Sequence, residues 1–201
     1  MNDIIEAEYM KRLFIAVPVE ERSRTEIAAR VFSDENAKKM PVRWTPVQNL
    51  HLTLQFLGDT EEKRIPVLKQ ILNRIPQHEI EEKLVFTDIG AFPDLSSPRI
   101  IWLGIAKNQT LLNIRKRISD DLTRNGFEFD KKGFKAHLTL GRVRDGVSVS
   151  AEQIEILKNV VDQSPISPSC FDRITLFESQ LRPGGPLYTG LYDKILFQKE
   201  S

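Results

Sequence analysis

The tetrapeptide HLTL occurs twice in this chain of 201 residues, at positions 51–54 and again at positions 137–140. Each copy alternates polar and apolar residues, which is typical of a β-strand with one buried face. Side chains two residues apart on a strand point to the same side of the sheet. Each copy therefore presents an imidazole and a hydroxyl together, and we expect its leucines to enter a core on the opposite side.

The predicted elements around the two copies repeat in the same order. Those of the first half are strand 12–17, helix 20–38, strand 50–57, helix 61–75 and strand 82–92. Those of the second half are strand 99–105, helix 109–125, strand 136–143, helix 151–162 and strand 171–180. A last strand, 187–197, follows a Pro/Gly-rich segment that suits a hairpin loop. The copies lie 86 residues apart, which is too long for a solenoid period and indicates two similar lobes across a pseudo-two-fold axis.

Composition restricts the class of protein. Lys and Arg total 29 and Asp and Glu total 28, so the net charge of +1 argues against an extended footprint on a nucleic-acid duplex. A small basic patch inside a cleft stays compatible with that balance. The single cysteine, Cys170, excludes an internal disulfide and a cysteine-based metal cluster. Because we find neither a signal peptide nor an apolar stretch long enough to cross a bilayer, we expect a cytoplasmic protein.

Two imidazoles and two hydroxyls suit the cleavage of a phosphodiester. A histidine on a strand is more often structural, and threonine favours strands whatever its role, but the repetition of the whole tetrapeptide favours a shared function. Phosphodiester cleavage needs proton transfer at two opposed oxygens, and one imidazole can act as base while the other acts as acid. Threonine hydroxyls can donate to the phosphoryl oxygens. A catalytic zinc fits less well, since it takes three protein ligands and the sequence has neither HExxH nor a cysteine cluster.

The chain resembles the 2H phosphoesterase superfamily, whose signature is a duplicated HxTx motif. Within it, the sequence is similar to the RNA 2′,3′-cyclic phosphodiesterases, also called 2′-5′ RNA ligases. The similar segments cover most of residues 12–197 and are RLFIAVPV (12–19), RWTPVQNLHLTLQFLGD (43–59), GAFPDLSSPRIIWLGI (90–105), FKAHLTLGRVR (134–144) and ITLFESQLRPGGPLYTGL (174–191).

This resemblance implies a fold and an activity. The fold is a bilobal, duplicated α+β fold with two antiparallel sheets around a central cleft and helices on the outside. We expect one such domain over residues 1–201, with residues 1–10 as a flexible N-terminal tail. The activity is hydrolysis of an RNA 2′,3′-cyclic phosphate end to a 2′-phosphomonoester, and its reversal would be ATP-independent 2′-5′ ligation.

The resemblance also implies roles for the motif residues. His51 is the proton donor to the 3′-oxygen leaving group, His137 is the proton acceptor that activates water, and Thr53 and Thr139 hold the phosphoryl oxygens. We expect neither a metal nor another cofactor. The expected partner is RNA with a 2′,3′-cyclic phosphate terminus, bound by a monomer without a membrane.

Two further positions are candidates for substrate binding. Arg142 follows the second motif, and some relatives use that arginine on the phosphate. Strict strand alternation turns Arg142 away from His137, unless Gly141 permits a bulge. Phe14 lies where the family often places an aromatic ring near the substrate base, so either stacking on the base or packing in the core is expected of it.

Other residues have plainer interpretations. We expect His78 in a surface loop, Trp44 and Trp102 in the core, and Cys170 as a small buried hydrophobe. Five basic residues are expected on a solvated surface, with attraction of RNA phosphates as the alternative: Arg43, Lys131, Lys132, Lys135 and Arg144. Two other functions stay open, an RNA-end binding module without turnover and a related enzyme that acts on a small cyclic nucleotide.

Overall fold

The computed structural model describes residues 9–77, 81–130, 133–183 and 185–197. Their strands are β1 (Met10–Pro18), β2 (Val42–Trp44), β3 (His51–Glu61), β4 (Lys83–Leu84), β5 (Phe86–Phe92), β6 (Ile100–Ile105), β7 (His137–Val143), β8 (Ser169–Cys170), β9 (Arg173–Arg182) and β10 (Gly185–Ile195). Their α-helices are α1 (Glu21–Ile27), α2 (Glu35–Lys39), α3 (Ile65–Asn73), α4 (Gln109–Arg124) and α5 (Ala151–Gln163).

The main sheet consists of two antiparallel halves. Its strand order is β10-β9-β1-β3-β7-β6-β5, and β2 pairs with β7. The halves meet between β3 and β7, where Leu52 pairs with Leu138. The expected bilobal α+β fold with antiparallel sheets is therefore confirmed, and the two sheets are joined edge to edge at this leucine pair.

The spatial lobes differ from the two halves of the sequence. Strand β9, from the second half, pairs with β1 of the first half, and β5, from the first half, pairs with β6 of the second. One helix is exchanged as well, because α4 comes from the second half of the chain and packs on β3. The third predicted strand of each half, now β5 or β9, therefore lies in the sheet of the other lobe.

Apolar faces explain why these elements form and where they pack. In α4, four residues at helical spacing are buried: Leu111, Ile114, Ile118 and Leu122. Burying one such side chain contributes about 1.5–3 kcal/mol. The motif leucines at 52, 54, 138 and 140 are at most 2% exposed, so each HLTL copy holds its strand on the core through its apolar face.

Local signals in the sequence explain the element boundaries. Helix α5 begins with the capping box of Ser150 and Gln153. Pro66 lies in the first turn of α3, where its missing N–H costs no hydrogen bond. Gly126 follows α4 with φ of +65°, a left-handed conformation that glycine adopts without strain.

Two predicted elements are divided in the structure. The helix over 20–38 is wrong as one element, because Asp34 ends the π-helical turn that follows α1 and caps α2 through the amides of Asn36 and Ala37. The strand over 82–92 separates into β4, which pairs with β8 in a small second sheet, and β5 in the main sheet.

The strand β1 begins within the range expected as a tail. Met10 pairs with Glu61, and the Tyr9 carbonyl accepts a hydrogen bond from the amide of Glu62. Residues 1–8 lie outside the described residues, as do His78, Lys131 and Lys132. Among the helices that the structure describes, none is long and apolar enough to cross a membrane.

Candidate active site

The register between β3 and β7 brings the two motifs together. Leu52 pairs with Leu138 in antiparallel orientation, and each is the second residue of its motif. Continuing that register by one residue sets two polar pairs opposite each other, His51 with Thr139 and Thr53 with His137. Residues opposite each other on one face have Cβ atoms about 4.5–5.5 Å apart. The four half-buried polar side chains therefore form one cluster, with the histidines at diagonal corners.

Both imidazoles are oriented by the same kind of hydrogen bond. The Nδ1–H of His51 donates to the carbonyl oxygen of Asn49 at 2.7 Å, and that of His137 donates to the carbonyl of Lys135 at 2.6 Å. A carbonyl oxygen only accepts, so Nδ1 must carry the proton in both rings. The Nε2 atom of each ring is then the one available for proton transfer.

Burial keeps both rings neutral in the free protein. Burial, with a smaller contribution from the charge of a protonated His137, lowers the pKa of His51 to about 4, against the opposing effect of the hydrogen bond to Asn49. Burial also lowers the pKa of His137, and the nearby charge of Lys135 acts in the same direction. Each neutral Nε2 is therefore a proton acceptor until an anion binds beside it.

Aromatic rings hold each imidazole in place. The ring of His51 lies 4.9 Å from Phe14 and 5.3 Å from Tyr188, which meets it edge-on at 89°. The ring of His137 lies 5.0 Å from Phe92 at 82° and 6.1 Å from Trp102. Such rings restrict the imidazoles without offering them a competing hydrogen bond.

Phe14 supports His51 in this structure. Its side chain is only 3% exposed, and besides His51 it contacts Phe177 and Tyr188. Phe14 therefore packs in the core, as one of its two expected roles required. The part of the core that it belongs to forms the wall of the site. Stacking of Phe14 on a substrate base stays a prediction, and it would require these neighbouring rings to move.

A β-bulge turns Arg142 toward the site. Trp102 pairs with Thr139, but Ile101 pairs with Gly141, so Leu140 is an extra residue in β7. The extra residue reverses the alternation, and the exposed Arg142 side chain returns to the face of the motif histidine. Burial raises the pKa of the Tyr188 phenol, and the positive charges of Arg142 and Arg12 oppose that shift.

Gly141 is required for the packing of β2 against β7 beside this bulge. A Cβ atom at that position would lie 2.5 Å from Cγ1 of Val42 and 2.9 Å from the Trp44 ring. Strand β2 can therefore approach β7 closely only because residue 141 has no side chain. The sequence analysis gave a bulge at Gly141 as the condition for Arg142 to face the motif histidine, and the structure contains a bulge next to this glycine.

The duplicated sequence and the duplicated site together indicate a family. A family model described as LigT-like phosphoesterase matches this chain twice, over residues 17–102 and 103–188. The chain belongs to the LigT-like phosphoesterases of the 2H superfamily. Each match contains one HLTL motif, so the family repeat coincides with the duplication seen in the sequence.

Curated relatives of this LigT-like phosphoesterase carry the name RNA 2′,3′-cyclic phosphodiesterase. The protein of Methanocaldococcus jannaschii is 35% identical over 88% of this chain and 96% of its own length. That of Archaeoglobus fulgidus is 32% identical over 90% and 97%, and that of Thermotoga maritima is 30% identical over 90% and 94%.

Solved structures share the fold. A protein of Thermus thermophilus superposes with a TM-score of 0.74 at 22% identity, covering 92% of this chain and 97% of that one. The LigT protein of E. coli, in a complex with 3′-AMP, superposes with a TM-score of 0.68 at 25% identity, covering 94% and 100%.

The first motif of this phosphoesterase contains the same bulge as the second. Ala16 pairs with Thr53 and Ile15 with Gln55, so Leu54 is the extra residue in β3. Phe56, five residues after the first motif histidine, therefore takes the position that Arg142 takes after the second. It is 37% exposed, and the guanidinium carbon of Arg12 lies 5.0 Å from its ring centre.

Sequence reasoning missed three residues at the site. Phe56 and Arg12 were detectable by aligning the two motifs, because position 56 matches position 142 and Arg12 lies beside it. Tyr188 lies in the family-like segment 174–191, and no local pattern there indicates a role for this residue. Only the pairing of β10 with β9, and of β9 with β1, brings Tyr188 next to His51.

The remaining candidates have mixed outcomes. Trp102 is 4% exposed, as expected of a core residue, but it also contacts His137 and carries the Lys135 ammonium 3.9 Å above its ring. Trp44 is half-buried, and Arg43 and Arg144 are exposed.

Cys170 is half-buried rather than fully buried, because β8 is a two-residue strand at the edge of a small sheet. Within the described part of the chain, no three His, Cys, Asp or Glu side chains are grouped so that they could hold a metal ion.

Proposed function

We propose that this protein hydrolyses the 2′,3′-cyclic phosphate at the 3′ end of RNA to a 2′-phosphomonoester, without a metal ion. The observation that carries the proposal is the pair of imidazoles, His51 and His137, each with Nδ1 bonded to a backbone carbonyl and Nε2 available. The names of the curated relatives support the substrate class.

The hydrolysis needs two proton transfers, one for each histidine. Neutral His137 accepts a proton from water through Nε2 as the water oxygen forms its bond to phosphorus. His51, protonated, donates from Nε2 to the 3′-oxygen as the bond between phosphorus and that oxygen breaks. Thr53 and Thr139 donate hydrogen bonds to the two non-bridging oxygens, where negative charge increases. The products are a 2′-phosphate and a 3′-hydroxyl, and solvent restores the two protonation states.

The bound phosphate favours the protonated form of His51. With a pKa of about 4, this ring is neutral in the free protein at neutral pH, whereas an acid must carry a proton. A phosphate anion within hydrogen-bonding distance favours the charged imidazolium and so raises the pKa of His51. The substrate thus promotes the protonation of its own proton donor, and Arg142 stabilises the further negative charge that develops on the phosphate as water adds.

Ligation uses the same groups with another nucleophile. A 5′-hydroxyl of a second RNA replaces water, His137 takes its proton, and the new bond joins the 5′-oxygen to phosphorus while the 3′-oxygen leaves. This gives a 2′-5′ phosphodiester without ATP, because the strained cyclic phosphate supplies the free energy. The proposal includes this ligation, a monomeric enzyme and a cytoplasmic location.

Product mapping tests the proposal directly. A short RNA ending in a 2′,3′-cyclic phosphate is incubated with the purified protein in excess chelator, and the terminal phosphate is located. We expect complete conversion to the 2′-phosphate. A 3′-phosphate product would contradict the roles of the histidines, restoration of lost activity by zinc would indicate a metallohydrolase, and tight binding without turnover would indicate an RNA-end binding module.

A further inference from the structure

An open pocket of about 630 Å³ adjoins the active site on one side only. His51 and Tyr188 form part of its wall, whereas His137 and the two motif threonines do not. Its other walls come from the end of β1, the segment before β3 and the β9–β10 hairpin. A volume of this size is typical of pockets that enclose a small ligand.

The chemistry of the reaction determines which part of an RNA lies here. In the proposed function, on which this inference rests, His51 protonates the 3′-oxygen of the terminal ribose. That ribose, its base and the phosphodiester on its 5′ side must therefore extend from the His51 side of the cluster. The pocket opens on that side.

The pocket wall combines apolar surface with two arginines. Four prolines and two leucines line it together with Phe177 and Tyr188, and Gln48 and Asn49 add amide groups. Arg24, on α1, and Arg182, at the end of β9, supply two guanidinium groups. Of the described residues that line this pocket, none is a carboxylate, so the two positive charges are not neutralised within it.

Arg24 differs from the other arginines around α1. Arg22 and Arg30 both form ion pairs with Glu26, at 3.3 Å and 3.6 Å. Among the described residues, Arg24 has no acidic partner, although its side chain is half-buried against the pocket. A partly buried guanidinium without a carboxylate is suited to a phosphate ligand, which it can contact through two parallel hydrogen bonds.

We propose that this pocket holds the terminal nucleotide and that Arg24 and Arg182 bind the phosphodiester immediately 5′ to it. The enzyme is then selective for the ends of RNA chains over nucleoside 2′,3′-cyclic monophosphates, which lack that phosphate. Arg24 and Arg182 determine specificity and take no part in the chemical step.

Two matched dinucleotide substrates test this proposal. Both end in a 2′,3′-cyclic phosphate, one with a normal phosphodiester between its two nucleosides and the other with an uncharged methylphosphonate. We expect wild-type kcat/KM to favour the charged linkage by about 10- to 100-fold, the range for hydrogen bonds to an ionised group. In the double variant Arg24→Ala/Arg182→Ala, this ratio falls to about 1, mainly through KM, because the contact is equally present in the ground state and the transition state.

Salt dependence gives an independent readout. On a longer single-stranded RNA substrate, loss of the contact with this one phosphate in the double variant lowers the slope of log KM against log salt concentration by about 0.7. Arg22→Ala is the control, since Arg22 lies on the same helix but points to Glu26 and does not line the pocket. It should retain both the substrate ratio and the salt slope of the wild type.

The outcomes separate this inference from the proposed function. Equal turnover of both dinucleotides by the wild type, or an equal loss on both in the double variant, would overturn phosphate recognition by these arginines while leaving the hydrolase intact. If neither dinucleotide were cleaved by the wild type, the proposed function itself would fail.

Discussion

Leu52 and Leu138 are paired residues of adjacent strands, and each is the second residue of an HLTL motif. The pseudo-two-fold axis of the molecule therefore passes between these two leucines. Because their side chains enter the core, the flanking histidines and threonines must lie on the opposite face. This one pairing converts a repeated tetrapeptide into a single four-residue site.

Shortening one of these leucines tests their role in joining the lobes. Both are fully buried, so Leu138→Ala leaves a cavity and should cost about 2–5 kcal/mol of the free energy of unfolding. Because the lobes also lose alignment, kcat should fall under conditions where the variant is still folded. Urea unfolding and steady-state kinetics measure the two effects. Val143→Ala, on the same strand but away from the junction, is the control and should lose stability with a smaller change in kcat.

Each motif histidine should be necessary for turnover. His51→Ala and His137→Ala should each lower kcat by about 10²–10⁴-fold, because each removes one of the two proton transfers. Both rings lie on the polar face of the sheet, so circular dichroism should show an unchanged fold. Near wild-type turnover in either variant would contradict acid–base catalysis by this pair.

The histidines should also make stability depend on pH. The pKa of His51 is lowered by burial to about 4, and that of His137 is lowered too, whereas unfolding returns both toward 6.5. Below about pH 6.5 the unfolded chain therefore binds more protons than the folded chain, and stability falls as the pH drops toward about 4.

Urea unfolding at a series of pH values measures this dependence. The double variant His51→Gln/His137→Gln, which has no titrating ring at the site, should show a smaller slope between about pH 4 and pH 6.5. An identical slope in the wild type and the double variant would show that these rings are not buried as described.

The bulge in β7 should be needed for the use of Arg142. Arg142→Ala should lower kcat/KM by about 10- to 100-fold, the effect of losing a charged hydrogen bond to phosphate. Gly141→Ala should reproduce part of that loss and lower stability by about 1–3 kcal/mol, because its Cβ would clash with Val42 and Trp44.

A neighbouring arginine provides the control for this prediction. Arg144→Ala removes an exposed arginine two residues further along the chain and should have little effect. If Arg142→Ala matched Arg144→Ala in kinetics, the orientation of Arg142 would have no catalytic consequence.

Local sequence patterns are sufficient to predict the motif strands and the candidate catalytic set. Alternation within HLTL is a local property, so it assigns each histidine and its threonine to one face without knowledge of the partner strand. Caps are equally local: Ser150 with Gln153 marks the start of α5, and Pro66 marks the first turn of α3, which begins at Ile65, later than the predicted helix 61–75.

Which strands are neighbours, and which other residues reach the site, follows from contacts between distant parts of the chain. The exchange of β5 and β9 between the lobes depends on contacts between segments far apart in the chain, and periodicity carries no information about such partners. The direction of Arg142 depends on the register of β6 against β7, and Tyr188 reaches His51 only through two successive strand pairings. Pairing and register are set by long-range packing of whole strands, so a local pattern could suggest these residues but could not position them.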